Sequence, residues 1–241
     1  MNLTVLHFDT LESTNTEAAE HARRGADEGL CIVADEQTAG RGRQGREWVS
    51  PKGSGLFMSV ILRPKLDVKH LTLIPLMAAI AVYDVLLKGY LIEPDIKWPN
   101  DVLVDEKKIC GILSEAVDTP DGFAVILGIG INLKDESLPD NATSMEREST
   151  FPVVRDEVVE AVTDEIKRLY QVLHLTPDAI VDEWKRRSTY YEGKPVEVRS
   201  GTKTFTGVTC GLEESGALRV TVADGTVRVV QAGDVEQLRG V

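Results

Sequence analysis

The sequence predicts an α+β protein: a mixed, largely antiparallel sheet with packed helices, followed by a small C-terminal SH3-like β-barrel. Three observations point there. Short apolar runs come in hairpin pairs, which does not suit a doubly wound fold of alternating strands and helices. Helical periodicity is confined to a few segments before residue 191. After Tyr191 the texture becomes period-2 throughout, as in small all-β units. The expected boundaries are residues 1–190 for the larger domain and 191–241 for the smaller.

Each element has its own signal. Leu3 to Phe8 alternates enough to form a strand. Ser13-Thr14-Asn15-Thr16-Glu17 opens a helix, with Thr14 and Glu17 spaced as a capping box and Arg23-Arg24-Gly25 as the close. Leu30 to Asp35 and Leu56 to Leu62 read as buried strands flanking a glycine-rich loop. Leu71 to Lys88 is a helix ended by Gly89. Short strands are expected over Ile92 to Lys97, Asp101 to Val104, Lys108 to Val117 and Phe123 to Asn132. Asp105-Glu106 and Thr119-Pro120-Asp121-Gly122 would connect hairpins. Arg155 to Leu173 and Pro177 to Tyr190 are helices, the second with Thr176 as N-cap and Pro177 in its first turn. In the smaller domain, strands over Pro195 to Val198, Thr204 to Val208, Leu218 to Val222 and Val227 to Val230 are separated by Gly201, Gly207, Gly216 and Asp224-Gly225.

Composition narrows the function. The 241 residues carry 27 basic and 39 acidic side chains, a net charge of −12, with 42% hydrophobic residues. That balance argues against a general nucleic-acid coat or a binder of anionic membranes. The longest apolar stretch, Leu71 to Leu87, is interrupted by Thr72, Pro75, Tyr83 and Asp84 and is expected to be a buried helix, short of the roughly 20 apolar residues of a span. No basic and apolar leader opens the chain, and Cys31, Cys110 and Cys210 are far apart, as suits reduced thiols in a cytoplasmic protein. The four histidines are scattered, so no metal site is expected.

Against this acidic background, residues 41–65 hold six basic residues and one acid. Most sit in Gly40-Arg41-Gly42-Arg43-Gln44-Gly45-Arg46, where glycines let backbone N–H groups approach an oxyanion and arginines offer forked donors. The alternative is a solvated loop. The spacing Gly40-x-Gly42-x-x-Gly45 matches a dinucleotide fingerprint, but Glu47 to Gly53 has no helical periodicity and a proline, so the match is spurious. A loop that closes over its ligand fits better. A second cluster is Lys97-Trp98-Pro99-Asn100-Asp101 followed by Lys107-Lys108-Ile109-Cys110-Gly111-Ile112. It reads either as a charged hairpin tip or as a ligand site, and Asp101 either as a turn cap or as a reacting group.

Taken together, Ser13-Thr14-Asn15, Gln37-x-x-Gly40-Arg41-Gly42-Arg43-x-Gly45-Arg46-x-Trp48, Lys97-Trp98-Pro99-Asn100-Asp101, Lys108-x-x-Gly111-Ile112 and Gly128-x-Gly130-x-Asn132 resemble the biotin protein ligases. The resemblance implies an enzyme that joins biotin to ATP as biotinyl-5′-adenylate, then transfers the biotinyl group to a lysine of a biotin carboxyl carrier domain. Mg²⁺ would accompany ATP as its counter-ion. It further implies that Ser13, Thr14, Asn15 and Gln37 bind the biotin rings, and that Gly40, Arg41, Gly42 and Arg43 close over biotin and the adenylate phosphate. Arg46 would meet the triphosphate and Trp48 the adenine side, unless Trp48 is a packing residue. Lys108 would touch the biotin carboxylate and α-phosphate, Asp101 would orient or deprotonate the incoming lysine, and Asn100 and Asn132 would lie along the nucleotide. Gly111, Gly128 and Gly130 would be close-approach positions. A capping box explains Thr14 and Glu17 equally well, but not Asn15.

Some members of that family carry an N-terminal winged helix-turn-helix; with twelve residues before Ser13 and a net charge of −12, no DNA binding is expected. A homodimer is expected by analogy. The nearest rival is a lipoate ligase or octanoyl transferase of the same fold, the latter using a cysteine nucleophile, for which Cys110 is the candidate. A non-catalytic RNA-binding or scaffold role is opposed by the acidic smaller domain.

Overall fold

The computed structural model describes residues 1, 3–200, 203–231 and 234–237. Strand β1 (Thr4–Leu11) leads into α1 (Thr14–Arg23), then β2 (Leu30–Gln37) and β3 (Gly55–Leu62). Helix α2 (Ile74–Tyr90) follows, then β4 (Asp95–Lys97), β5 (Asp101–Val104), β6 (Lys107–Thr119) and β7 (Gly122–Asn132). Helices α3 (Met145–Glu148), α4 (Arg155–Leu175) and α5 (Pro177–Lys185) complete the larger part. The C-terminal part contains β8 (Glu192–Ser200), β9 (Lys203–Leu212), β10 (Leu218–Thr221), β11 (Val227–Val230) and β12 (Asp234–Gln237).

The large sheet is seven-stranded in the order β1-β2-β3-β7-β6-β5-β4, parallel only between β1 and β2. Its two faces have different jobs. Met58, Val60 and Leu62 of β3, with Leu127, Ile129 and Ile131 of β7 and Cys110 and Ile112 of β6, join α2, α4 and α5 in the main core. The opposite face alternates with it, as period 2 requires. There Phe57, Gly130, Gly111 and Asp101 form one cross-strand row, and Ser59, Gly128 and Leu113 the next. Helix α1 covers one end of that face, packing Ala18, Ala19 and Ala22 against Ile61 and Ile126. Glycines in the middle of the rows leave a shallow floor beside α1, and that floor positions the site.

Several boundaries differ from the sequence expectation. Gly89 does not end α2; the helix runs to Tyr90, and Leu91 takes the left-handed cap position at φ 53°. An 18-residue window within Val68–Tyr90 reaches a mean hydropathy of 1.9, enough by length and composition alone to cross a bilayer, yet α2 lies within the core, as the buried helix expected from the sequence. The predicted helix to Tyr190 ends at Lys185, and α3 and β12 had no sequence signal. Among the described residues the smaller part is a five-stranded antiparallel sheet, β11-β10-β9-β8-β12, with no ladder between its edge strands and hence no closed barrel. Gly207, expected between strands, lies inside β9, where a Cβ would meet the Thr221 carbonyl at 2.5 Å. Gly201 lies outside the described residues. The Ser215-Gly216 turn docks on the larger part: Thr72 Oγ1 donates to the Ser215 carbonyl at 2.6 Å and Trp98 Nε1 to the Gly216 carbonyl at 2.9 Å.

Candidate active site

At the start of α1 the capping box does not form. Ser13 is the N-cap residue and makes no side-chain cap bond. Thr14, buried, turns its hydroxyl to Gln37 Oε1 (3.2 Å), which also accepts from the Thr14 backbone N–H (2.8 Å). Glu17 pairs with His21 instead. Asn15, also buried, donates from Nδ2 to Glu115 (2.7 Å) and accepts at Oδ1 from the Ser59 hydroxyl (2.6 Å). Its side chain lies on Gly128, where a Cβ would meet Asn15 Cγ at 2.9 Å. Polar groups of a helix start are therefore spent on shaping a pocket.

The arginine-glycine loop is a small arch. Trp48 N–H donates to the Gly40 carbonyl (2.9 Å) and Gly42 N–H to the Arg46 carbonyl (2.7 Å), with Gln44 in the left-handed region at φ 56°. Gly40 cannot carry a side chain, since a Cβ would meet Ser50 Oγ at 2.8 Å and Gln37 Nε2 at 3.0 Å. Arg43 reaches across to Asn100 Oδ1 (3.0 Å), while Asn100 Nδ2 donates to the Ile112 carbonyl (2.8 Å). Burial pulls the Arg43 guanidinium below its ordinary pKa, offset in part by nearby Asp101, with Arg46 adding to the fall. Arg63 does not belong to this group: it caps the end of α1 through the Ala22 and Ala26 carbonyls.

Lys108 stands opposite. Its Nζ lies 2.7 Å from Asp101 Oδ1, an ion pair off the line of a good hydrogen bond, and 5.3 Å from the Trp48 ring centroid. The Lys108 backbone is gripped by Asn141, Thr143 and Asn132, whose Nδ2 donates to the Lys108 carbonyl (3.2 Å) and the Thr143 carbonyl (3.0 Å). Asp101, expected to act on an incoming amine, is paired with Lys108 here, and the Asn132 amide group anchors that lysine. Trp48 lies on the glycine floor: a Cβ on Gly130 would meet its Nε1 at 2.7 Å, and one on Gly111 its ring at 2.8 Å. Its buried Nε1 has no hydrogen-bond partner among the described residues.

Two cavities meet at this point. The narrower, about 120 Å³, is lined by Ser13, Thr14, Asn15, Gln37, Arg41, Gly42, Gly111, Gly128 and Gly130. The wider, about 760 Å³, is lined by Lys97, Trp98, Asn132, Leu138, Asn141, Tyr190 and Val235. Arg46, Glu47, Trp48, Asn100, Asp101 and Lys108 line both. The narrow cavity falls below the roughly 300 Å³ usual for small-molecule sites because the Trp48 indole occupies its floor. Burial, with Asp95 and Glu106 nearby, pushes the Tyr190 phenol up to about 12, keeping it a neutral donor at the wide cavity. Sequence reasoning missed Ser59, Ser50 and Glu115 and the 137–142 wall of the wide cavity. A serine in the fully buried run of β3 was the one available signal. Cys110 faces the core, fully buried, and burial drives its thiol far above the ordinary range.

Comparison with known proteins defines the class. Residues 7–132 match the Biotin/lipoate A/B protein ligase family model and residues 192–237 the Biotin protein ligase C terminal domain. The chain belongs to the biotin/lipoate A/B protein ligase family, and it is an enzyme. It is 35% identical over 243 residues to the biotin–[acetyl-CoA-carboxylase] ligase of Paracoccus denitrificans, covering 93% of this chain and 96% of that one. It is 34% identical to the bifunctional ligase/repressor BirA of Bacillus subtilis, covering 96% of this chain and 73% of that relative. Its structure is similar to that of biotin protein ligase from Aquifex aeolicus in complex with biotin and ATP, with a TM-score of 0.85, 28% identity and coverage of 98% and 99% of the two chains.

Proposed function

We propose that this enzyme condenses biotin with ATP to biotinyl-5′-adenylate and pyrophosphate, then transfers the biotinyl group to the ε-amine of a lysine on a biotin carboxyl carrier domain, releasing AMP. The observation that carries this reading is Lys108, held where a narrow polar cavity opens into a wide one. A carboxylate in the first and a triphosphate in the second would meet at its Nζ. The chemistry demands such a cation, because a carboxylate must attack the α-phosphate of a polyanion and charge builds up there. Arg46 and Lys97 add positive charge on the nucleotide side. Glu47, Asp101 and Glu106 line the same walls but do not cluster as a metal site among the described residues, so Mg²⁺ would ride in on the phosphates with few protein ligands.

When Lys108 turns to the substrates, Asp101 is released from its ion pair to receive the proton of the acceptor lysine, whose ordinary pKa of ~10.4 keeps the neutral amine scarce. Trp48 leaves the glycine floor as biotin enters. The inward, inaccessible Cys110 thiol speaks against an octanoyl transferase using an acyl-cysteine, and the biotin protein ligase C-terminal domain favours biotin over lipoate.

The test is pyrophosphate release with MgATP, comparing biotin, lipoate and octanoate. Release with biotin alone is expected; release with lipoate or octanoate instead would overturn the substrate assignment. Arg43→Gly is expected to raise the rate at which free adenylate accumulates by on the order of tenfold to a hundredfold, the equivalent of one charged hydrogen bond. Accumulation no faster than in the unaltered enzyme would remove Arg43 from a retention role.

A further inference from the structure

The arginine-glycine loop is tied at both of its stems to the residues that line the narrow cavity. From Arg41, Nη2 donates to Glu115 Oε2 at 2.9 Å, and the same oxygen accepts from Asn15 Nδ2 at 2.7 Å. Asn15 Oδ1 is 2.6 Å from Ser59 Oγ, which lies 2.8 Å from Thr14 Oγ1. Thr14 N–H donates to Gln37 Oε1 (2.8 Å), Gln37 Nε2 donates to Ser50 Oγ (3.0 Å), and Ser50 Oγ donates to the Trp48 carbonyl (3.0 Å). The belt thus leaves the loop at Arg41, runs under the pocket and returns at Trp48. Glu115 is the one acid in it, set on β6 beside Leu113 in the hollow of about 470 Å³ beneath the arch.

The geometry points to Glu115 as a positioning residue: its carboxylate latches Arg41 to Asn15, coupling closure of the basic loop to recognition of the ligand in the narrow cavity. This rests on the proposed function for the identity of that ligand, but the latch itself does not. A carboxylate shared between a guanidinium and an amide on separate elements can hold both only when the loop is down. Loss of Asn15's alignment then weakens the loop, and loss of the loop frees Asn15. Arg41 and Glu115 are each partly exposed, at 47% and 34%, so the effect expected is moderate.

The experiment has two arms. In the ligand-free chain, amide hydrogen exchange of residues 40–48 is expected to quicken about fivefold in Glu115→Ala and in Arg41→Ala, with the double variant no faster than the faster single. In the second arm, dissociation of the bound adenylate is expected to quicken by a similar factor, KM for biotin to rise more than kcat falls, and Glu115→Gln to recover part of the loss while melting stays unchanged. Unchanged exchange in the single variants, or a double variant whose effects multiply, overturns the latch. If Glu115→Ala does not fold, the exchange of Glu115→Gln against the unaltered chain decides the same point. Faster exchange in the variants of a chain that shows no biotin-dependent pyrophosphate release would leave the latch standing and overturn the substrate reading alone.

Discussion

Lys108→Ala is expected to lower biotin-dependent pyrophosphate release by about 10²–10³, the loss typical of one preorganised donor to developing charge. The preorganisation is visible in the backbone. The β5–β6 turn uses Asp105 and Glu106 at φ 48° and 64°, both left-handed, as a two-residue hairpin of the primed type requires. The next residues are then clamped, with Lys108 N–H donating to the Asn141 carbonyl (2.9 Å) and the Lys108 carbonyl accepting from Thr143 N–H (3.0 Å). The side chain swings from a fixed root, and Asp101 parks it until an anionic substrate competes. An arginine in its place is a rigid planar fork instead of a compact point charge, so Lys108→Arg is expected to restore little. Supplying preformed biotinyl-adenylate separates the two half-reactions. Lys108→Ala should slow transfer of that adenylate's biotinyl group to a carrier lysine less than it slows pyrophosphate release, because transfer builds charge only on the departing AMP, while the first step must also bring a carboxylate onto a polyanion. Pyrophosphate release near that of the unaltered enzyme, with unchanged melting, would remove Lys108 from the chemistry.

What could be read in the sequence was the part written in local pattern. The α+β class followed from hairpin pairing, and the run from Lys97 to Gly111 marked residues that the fold places side by side. Long-range partnerships carried no local sign. Glu115 looked like any charge on an alternating strand, since its partners lie 100 and 74 residues away in sequence. Arg63 counted toward a basic island by proximity in the chain, yet β3 carries it to the far end of α1. Thr14 and Glu17 have the spacing of a capping box, but a buried polar pocket gave the threonine hydroxyl a stronger claim than its own helix end. Leu91 in a left-handed cap is likewise invisible to a rule that looks for glycine, and Gly89 misled it.

Asp84→Ala is expected to destabilise the fold by about 3–5 kcal/mol, the usual cost of removing one partner of a buried ion pair. Asp84 is the one acid on the buried face of α2 and is 2% exposed. Arg187 Nε donates to its Oδ1 (2.8 Å) and Lys88 Nζ to its Oδ2 (2.9 Å). Burial alone would raise the Asp84 pKa, but Arg187 and Lys88 outweigh it and hold the carboxyl below its ordinary value. The folded chain therefore binds that proton less readily than the unfolded one. The stabilisation is present above the ordinary carboxylate pKa of ~3.9 and is lost as pH falls through the lower folded value. In urea titrations the gap between Asp84→Ala and the unaltered chain should be widest near neutral pH and narrow toward about pH 3. A gap that widens in acid would contradict this account. The consequence reaches the site, because the residues after the guanidinium hold β4: Ile96 N–H donates to the Arg187 carbonyl (3.2 Å) and Ser188 Oγ to the Ile96 carbonyl (2.6 Å). Strand β4 leads directly into Trp98, Asn100 and Asp101. Loosening Arg187 should thus weaken nucleotide binding before it weakens biotin binding, a difference that the two KM values measured on Asp84→Asn would show.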